Sequence, residues 1–302
     1  MTRIPLADAH VHLWELDRLR YPWLSPPFDG DGPNGDVQPI ARDYGLDDYL
    51  ADAQGWNVVG LVHVEAGAHP ADALAETRWL QALSDQRGLP NAVIAYAALN
   101  DPGVAAQLEA HAAHSAVRGV RQIVCWHPDP RRTYAARDVT GDADWRRGFS
   151  RLAPLGLSFD LQCYPGQMAS MAELIAGHPE TAVILNHVGM PPAAEGEELA
   201  QWRAGLRALA ALPNTSIKLS GAGFIDRQWT PGQIRPYLLE AVEVFGARRC
   251  LVASDFPTDK LFGSFGRHLG AYADIFADFS EDERRDLFGR NANRIYRLGL
   301  DL

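Results

Sequence analysis

Eight short β-rich runs, separated by longer stretches of helical periodicity, predict an α/β protein of the (β/α)8 barrel type. Three observations carry the prediction. The runs are apolar and rich in β-branched residues. The intervening segments repeat apolar residues at three- and four-residue steps, as amphipathic helices do. No GxGxxG follows the first run, which disfavours the alternative of a doubly wound, dinucleotide-binding sheet.

In chain order the runs are LADAHVHL (6–13), VVGLVHVEA (58–66), AVIAYAAL (92–99), GVRQIV (119–124), LSFDLQCY (157–164), TAVILNHV (181–188), TSIKLSG (215–221) and CLVASDF (250–256). Helices are expected over 71–88, 167–179 and 195–214, where the apolar spacing is clearest. Eight strand–helix units are the number that closes a barrel. A single barrel domain is expected to fill residues 1–302. Residues 15–40 break the pattern: they are rich in Pro, Gly and Asp and carry Tyr21, Trp23 and Phe28. A connector this long is seldom mere slack. Its aromatics predict a loop packed over the strand ends.

Composition narrows the function. Apolar residues make up 47% and charged residues 22%, as in a water-soluble chain with a large core. The formal charge of -10 argues against a nucleic-acid or anionic-membrane surface. No apolar run reaches membrane-spanning length, and MTRIPLADAH lacks a secretory apolar region. Cys125, Cys163 and Cys250 form no CxxC pair, and an odd count reads as reduced thiols in a cytoplasmic protein. The expected partner is a small-molecule substrate, bound by a monomer or homodimer.

Barrel active sites lie at the C-terminal strand ends. Polar residues collect there in this sequence. His10 and His12 end the first run, one residue apart, so they share a face of an extended strand. His63 and Glu65 repeat that spacing in the second. The third ends at Asn100, the fourth carries Arg121 and Gln122, and the fifth carries Asp160, Gln162 and Tyr164. Asn186 and His187, then Lys218 and Ser220, then Ser254 and Asp255 complete the ring. Buried without partners, such groups cost several kcal/mol each, so one shared polar pocket is the economical reading. Bland alternatives exist: satisfied core histidines, an Arg121–Glu65 ion pair, Asp255 as a cap. Lys218 fits the pocket or the barrel wall equally well.

The elements AHVHLW, GVRQIV, ILNHVGMP, IKLSG, VASDFP and FGRNANRIYRL, in that order, resemble the amidohydrolase superfamily. More narrowly they resemble its amidohydrolase-2 group, which holds sugar-acid lactonases and 2-pyrone-4,6-dicarboxylate lactonase. The resemblance runs from residue 8 to about 298. It implies a metal-dependent-hydrolase type of TIM barrel. It also implies that His10 and His12 are the first-strand pair, His187 the sixth-strand histidine, and Asp255 the proton acceptor from water. Arg121 matches an arginine that holds substrate. Two departures stand out. The chain has two lysines, Lys218 and Lys260, and neither lies on the fourth strand, so a dinuclear centre bridged by a carboxylated lysine is not expected. The fifth-strand histidine of many members is absent, with Gln162 nearest its place.

Opening a lactone needs a deprotonated water, a polarised carbonyl and a proton for the departing alkoxide. One Zn2+ held by His10, His12 and a carboxylate, Glu65 or Asp255, could supply the first two. In a metal-independent version Asp255 is the base, and the histidines with Arg121 polarise the carbonyl. Tyr164, Gln162, His127 and Glu65 are expected to bind or orient substrate. The expectation is therefore a lactonase. A metal-dependent decarboxylase of an aromatic carboxylate is the runner-up, and a non-catalytic small-molecule binder comes third.

Overall fold

The computed structural model describes residues 4–28 and 30–302. Among them eight parallel strands follow one another around the sheet: β1 (Leu6–Val11), β2 (Val58–Val64), β3 (Ala92–Tyr96), β4 (Val117–Arg121), β5 (Ser158–Leu161), β6 (Val183–Leu185), β7 (Thr215–Leu219) and β8 (Cys250–Val252). Each overlaps the corresponding run of the sequence. Parallel neighbours need long crossovers, and helices supply them. These are α1 (Leu46–Asp52), α2 (Ala73–Arg87), α3 (Val104–Ala112), α4 (Ala143–Phe149), α5 (Met168–Ala176), α6 (Glu197–Ala210), the short α7 (Ala222–Ile225), α8 (Pro231–Phe245) and α9 (Phe265–Ile275). The chain ends in α10 (Glu281–Arg285) and α11 (Asn291–Tyr296).

Local chemistry explains why the crossovers are helical. On α6 the buried residues Leu199, Trp202, Leu206 and Leu209 recur at helical steps and face the sheet. Gly205 lets that helix lie against α5: a Cβ there would sit 2.6 Å from Met168 Cβ. α8 starts at a capping box, with Thr230 N donating to Gln233 Oε1 at 2.9 Å, and Pro231 takes the first helical position.

The seam between β8 and β1 is made differently from the other joints. Asp255 N donates to His10 O at 2.9 Å and His12 N to Phe256 O at 2.8 Å. Below them a side chain replaces the ladder: Ser254 N donates to Asp8 Oδ1 at 2.9 Å. Tyr49 OH donates to the other oxygen of Asp8 at 2.9 Å. The barrel is thus nearly closed, and its seam runs beside the candidate site.

Two apolar layers surround the strands. The outer one lies between sheet and helices and includes Leu61, Val93, Phe159, Ile217 and Val252. The inner one packs Ala7, Ala9, Val62, Ile94 and Leu251 around Tyr296, which α11 brings into the barrel. Small side chains on β1 leave room for that ring. The long segment after β1 buries Tyr21, Leu24, Val37 and Ile40. Trp23 packs edge-on against Trp14 at 5.5 Å and donates its indole N–H to Ala66 O at 2.8 Å. Among the described residues no helix is long and apolar enough to cross a membrane. The three cysteines are buried and unpaired.

Candidate active site

The ends of β1, β4, β6 and β8 meet over one buried polar floor. His10 and His12 touch through their Nε2 atoms at 3.2 Å. Asp255 Oδ1 lies 3.4 Å from His10 Nε2 and 3.2 Å from His12 Nε2. Asp255 Oδ2 is buried and, among the described residues, has no hydrogen-bond partner. The backbone of Asp255 is left-handed, with φ of 58°. Aspartate is among the few residues that accept that region at modest cost. The conformation turns the carboxylate across the strand end, where Asp255 N can still reach His10 O.

His187 is held by a more strained device. Residues 187 to 190 are all left-handed, including the β-branched Val188 at φ 53°. A β-branched residue is a true outlier there and persists only where the surroundings over-determine it. Trp202 Nε1 donates to Val188 O at 2.8 Å and pins the turn. The result presents the His187 ring 4.7 Å from that of His10, with Nδ1 3.0 Å from Ser220 Oγ. Gly221 behind it has φ of 73°, and a Cβ would lie 2.9 Å from His187 Nδ1.

Arg121 is committed on several sides. Its Nε donates to Glu65 Oε1 at 2.6 Å, Nη2 to Glu65 O at 2.8 Å and Nη1 to Gln162 Oε1 at 3.0 Å. Nη1 also stands 3.4 Å from His10 Nε2. Glu65 Oε2 accepts from Gly67 N at 2.9 Å, so both carboxylate oxygens of Glu65 are engaged. Below the floor Lys218 pairs with Asp160 at 2.5 Å, both fully buried.

These surroundings set the charge states. Burial pushes His10 well below the usual imidazole range, and the positive charge of Lys218 adds to it. Burial likewise drives His187 down to about 3. Burial also pushes Asp255 upward, but His187, His12 and Arg121 outweigh it and hold the carboxyl below its ordinary value. At neutral pH the floor therefore presents a carboxylate beside neutral His10 and His187.

A cavity of about 220 Å3 opens above this floor. His12, Arg121, Gln162, His187 and Asp255 line its base. Trp23, Tyr134 and Phe224 wall it, with Asn34 and Thr258 at the rim. Tyr134 and Phe224 also border an outer groove of about 440 Å3, and Tyr164 lines the groove rather than the cavity. Tyr164 donates its hydroxyl to Arg132 O. His127 packs beside Tyr164 at 5.9 Å, accepts at Nδ1 from Asp129 N, and lines neither space. His63 faces away from the cavity, taking Leu13 N on Nδ1 at 3.2 Å. Asn34 and Tyr134 sit in irregular loops and Phe224 in the short α7, where no periodicity marks a lining position.

The donor atoms that converge are those of His10, His187 and Asp255, all within 4.8 Å of one another. Two imidazole nitrogens and a carboxylate are a zinc-type set, and the unpartnered Asp255 Oδ2 gives it a spare acceptor. Glu65 stands outside the group, tied to Arg121 and Gly67.

A sequence model of the family described as Amidohydrolase matches residues 7–298. The uncharacterized protein y4mH of Sinorhizobium fredii is 40% identical over 305 residues, covering 99% of this chain and 100% of its own length. An L-fucono-1,5-lactonase of Burkholderia multivorans is 29% identical over 306 residues, covering 96% of this chain and 95% of that enzyme. Among solved structures, an amidohydrolase of Burkholderia multivorans with bound zinc superposes with a TM-score of 0.79 at 28% identity, covering 97% of this chain and 99% of the other. With its barrel, its histidine pair and its strand-end aspartate, the chain belongs to the amidohydrolase family.

Proposed function

We propose that the protein is a lactonase that opens a small, uncharged, polyhydroxylated lactone with a water deprotonated by Asp255. The observation that carries the reading is Asp255 Oδ2: an ionised carboxylate oxygen, buried, without a partner, on the floor of a cavity. A water placed there gives its proton to Oδ2 as its oxygen attacks the lactone carbonyl carbon. Arg121 and His12, which line the floor of the cavity, form the side that faces the developing oxyanion. Collapse of the tetrahedral adduct breaks the ring C–O bond. The departing alkoxide takes the proton that Asp255 holds, which yields the free hydroxy acid and resets the carboxylate. Where a divalent ion is bound, His10, His187 and Asp255 would hold it, and it would supply carbonyl polarisation.

The cavity also speaks to substrate charge. Among its described lining residues the permanent cation is Arg121, already paired with Glu65 at 2.6 Å. A substrate carboxylate would find no free cation there. A neutral ring instead meets the faces of Trp23, Tyr134 and Phe224, and its hydroxyls meet Asn34, Gln162 and Thr258. The lactonase names of two relatives support the same substrate class. The same shortage of a free cation weighs against the decarboxylase alternative, whose substrate is a carboxylate. A turnover screen of aldonic 1,4- and 1,5-lactones beside carboxylated pyrones and aromatic acids tests the reading. Acid release from the neutral lactones is expected. Carbon dioxide release from an aromatic acid, with no lactone opened, would replace it with the decarboxylase.

A further inference from the structure

The cavity and the outer groove lie side by side, and Tyr134 and Phe224 belong to the walls of both. The boundary continues inward as a small apolar cluster: Cys125, Tyr164 and Met190 are buried there, with Ile123, Tyr134 and Phe224 packed against them. At about 220 Å3 the cavity is smaller than the roughly 300–1,000 Å3 of most small-molecule sites. Joined to the groove of about 440 Å3 it would fall within that range. Whatever separates the two spaces therefore sets how large a molecule the floor can serve.

Phe224 is tied to the floor, its ring 5.0 Å from that of His187 and 6.2 Å from that of Phe262. Tyr134 is held at both ends. At its backbone, Tyr134 N and Ala135 N both donate to Cys125 O, at 3.0 Å and 3.1 Å. At its tip, the hydroxyl donates to Asn34 Oδ1 at 2.6 Å, in the long segment after β1. That segment is braced in turn. Gly35 N donates to Gly32 O at 2.9 Å, which closes a turn. Arg227 Nη2, from the loop after α7, donates to Gly32 O at 3.3 Å and to Pro33 O at 3.4 Å. Gly35, at φ of 73°, lets the guanidinium lie against the turn, since a Cβ there would stand 2.6 Å from Arg227 Nη1. The Tyr134 ring is thus strapped between the loop after β4 and the loop after β1.

We infer that Tyr134 is a specificity-determining residue: its ring, clasped by Asn34, closes the cavity against the groove and restricts the reaction to a lactone of a single ring. The role in turnover rests on the lactonase reading; the wall does not. In a 1,5-lactone the ring atom opposite the carbonyl carbon is C4. With the carbonyl at the Asp255 floor, a substituent on the C4 oxygen points away from the floor and toward the boundary that Tyr134 holds.

The probes are the 1,5-lactones of gluconic, galactonic and fuconic acid, each beside its 4-O-glucosyl counterpart. Wild type should prefer a parent lactone by at least about tenfold in kcat/KM, because a single methylene too many in an apolar pocket already costs that much. In Tyr134→Ala the preference should fall by about tenfold or more, mostly through a lower KM for the glucosyl form. Tyr134→Leu, which keeps apolar contact with Cys125, takes its place if the alanine variant melts early. A wild type that opens both forms equally well overturns the inference, as does a preference that survives the substitution. Calorimetry with the matching 1,5-lactams, which keep ring and carbonyl but resist opening, reads the wall without turnover. The expected size pattern in binding, from a protein that opens no lactone, would remove the lactonase reading and keep the wall. Failure to open or bind any of the three parent rings overturns both.

Discussion

Asp255→Asn separates the charge of this residue from its shape. Asparagine tolerates the left-handed backbone at φ 58° as aspartate does, so the turn stays unstrained. The buried ion pairs Arg121–Glu65 and Lys218–Asp160 remain intact. What disappears is the acceptor for the water proton. Loss of a general base costs about 10²- to 10⁴-fold in rate. That is roughly 2.7–5.4 kcal/mol of barrier at about 1.36 kcal/mol per tenfold. The outcome should lie toward the larger loss, because among the described residues no second free carboxylate lines the cavity, and Glu65 is engaged at both oxygens. The assay is lactone opening followed by a pH indicator, corrected for spontaneous hydrolysis, beside a thermal melt. Turnover should collapse while the melting midpoint barely moves. A variant within about tenfold of wild type would contradict the base assignment. A variant that melts far below wild type would make Asp255 a structural anchor instead.

Three further outcomes are expected. Burial, reinforced by the charge of Glu65, lifts Glu76 to about 8. Its contribution to stability is therefore complete below its unfolded value and lost as pH rises toward 8. Glu76→Gln should gain stability relative to wild type with a slope of up to about 1.4 kcal/mol per pH unit across that window, and urea melts that show a pH-independent difference would refute this. Gly221→Ala should displace His187, because the new Cβ would lie 2.8 Å from His187 Cβ, and a loss on the order of 10²-fold in kcat/KM is expected from such misplacement; activity equal to wild type would show the loop yields freely. Elemental analysis should find no more than one zinc per chain, weakly held because Arg121 and Lys218 flank His10, and two ions per active chain would contradict the ligand set.

Some of this was readable in the chain and some was not. The barrel was, because each strand announces itself as a short apolar run and each crossover carries its own helical spacing. The polar residues at strand ends were readable for the same reason: once His10, Arg121, His187 and Asp255 are placed at the ends of the first, fourth, sixth and eighth strands, barrel geometry brings them together. Their roles were harder. Glu65 was a candidate metal ligand on chemistry alone, and only the position of Arg121 and Gly67 N shows both its oxygens taken. Lys218 could not be placed, since its partners Asp160 and Tyr296 come from β5 and from α11 near the end of the chain. The left-handed turn at 187–190 has no mark in NHVGM beyond its glycine, because tertiary packing on Trp202 imposes it.

The seam between β8 and β1 carries a kinetic meaning. His12 and Asp255, which meet across it, are 243 residues apart in the chain. Contacts of such separation carry the largest loop-closure cost, so they form after local structure has assembled. During synthesis the histidine pair leaves the ribosome early, while its aspartate is made only when most strands already exist. No amino-terminal fragment that ends before residue 255 contains both halves of the floor. The onset of turnover in a refolding experiment would therefore time the joining of the first and last strands, and the reaction itself would serve as the clock for the final step of folding.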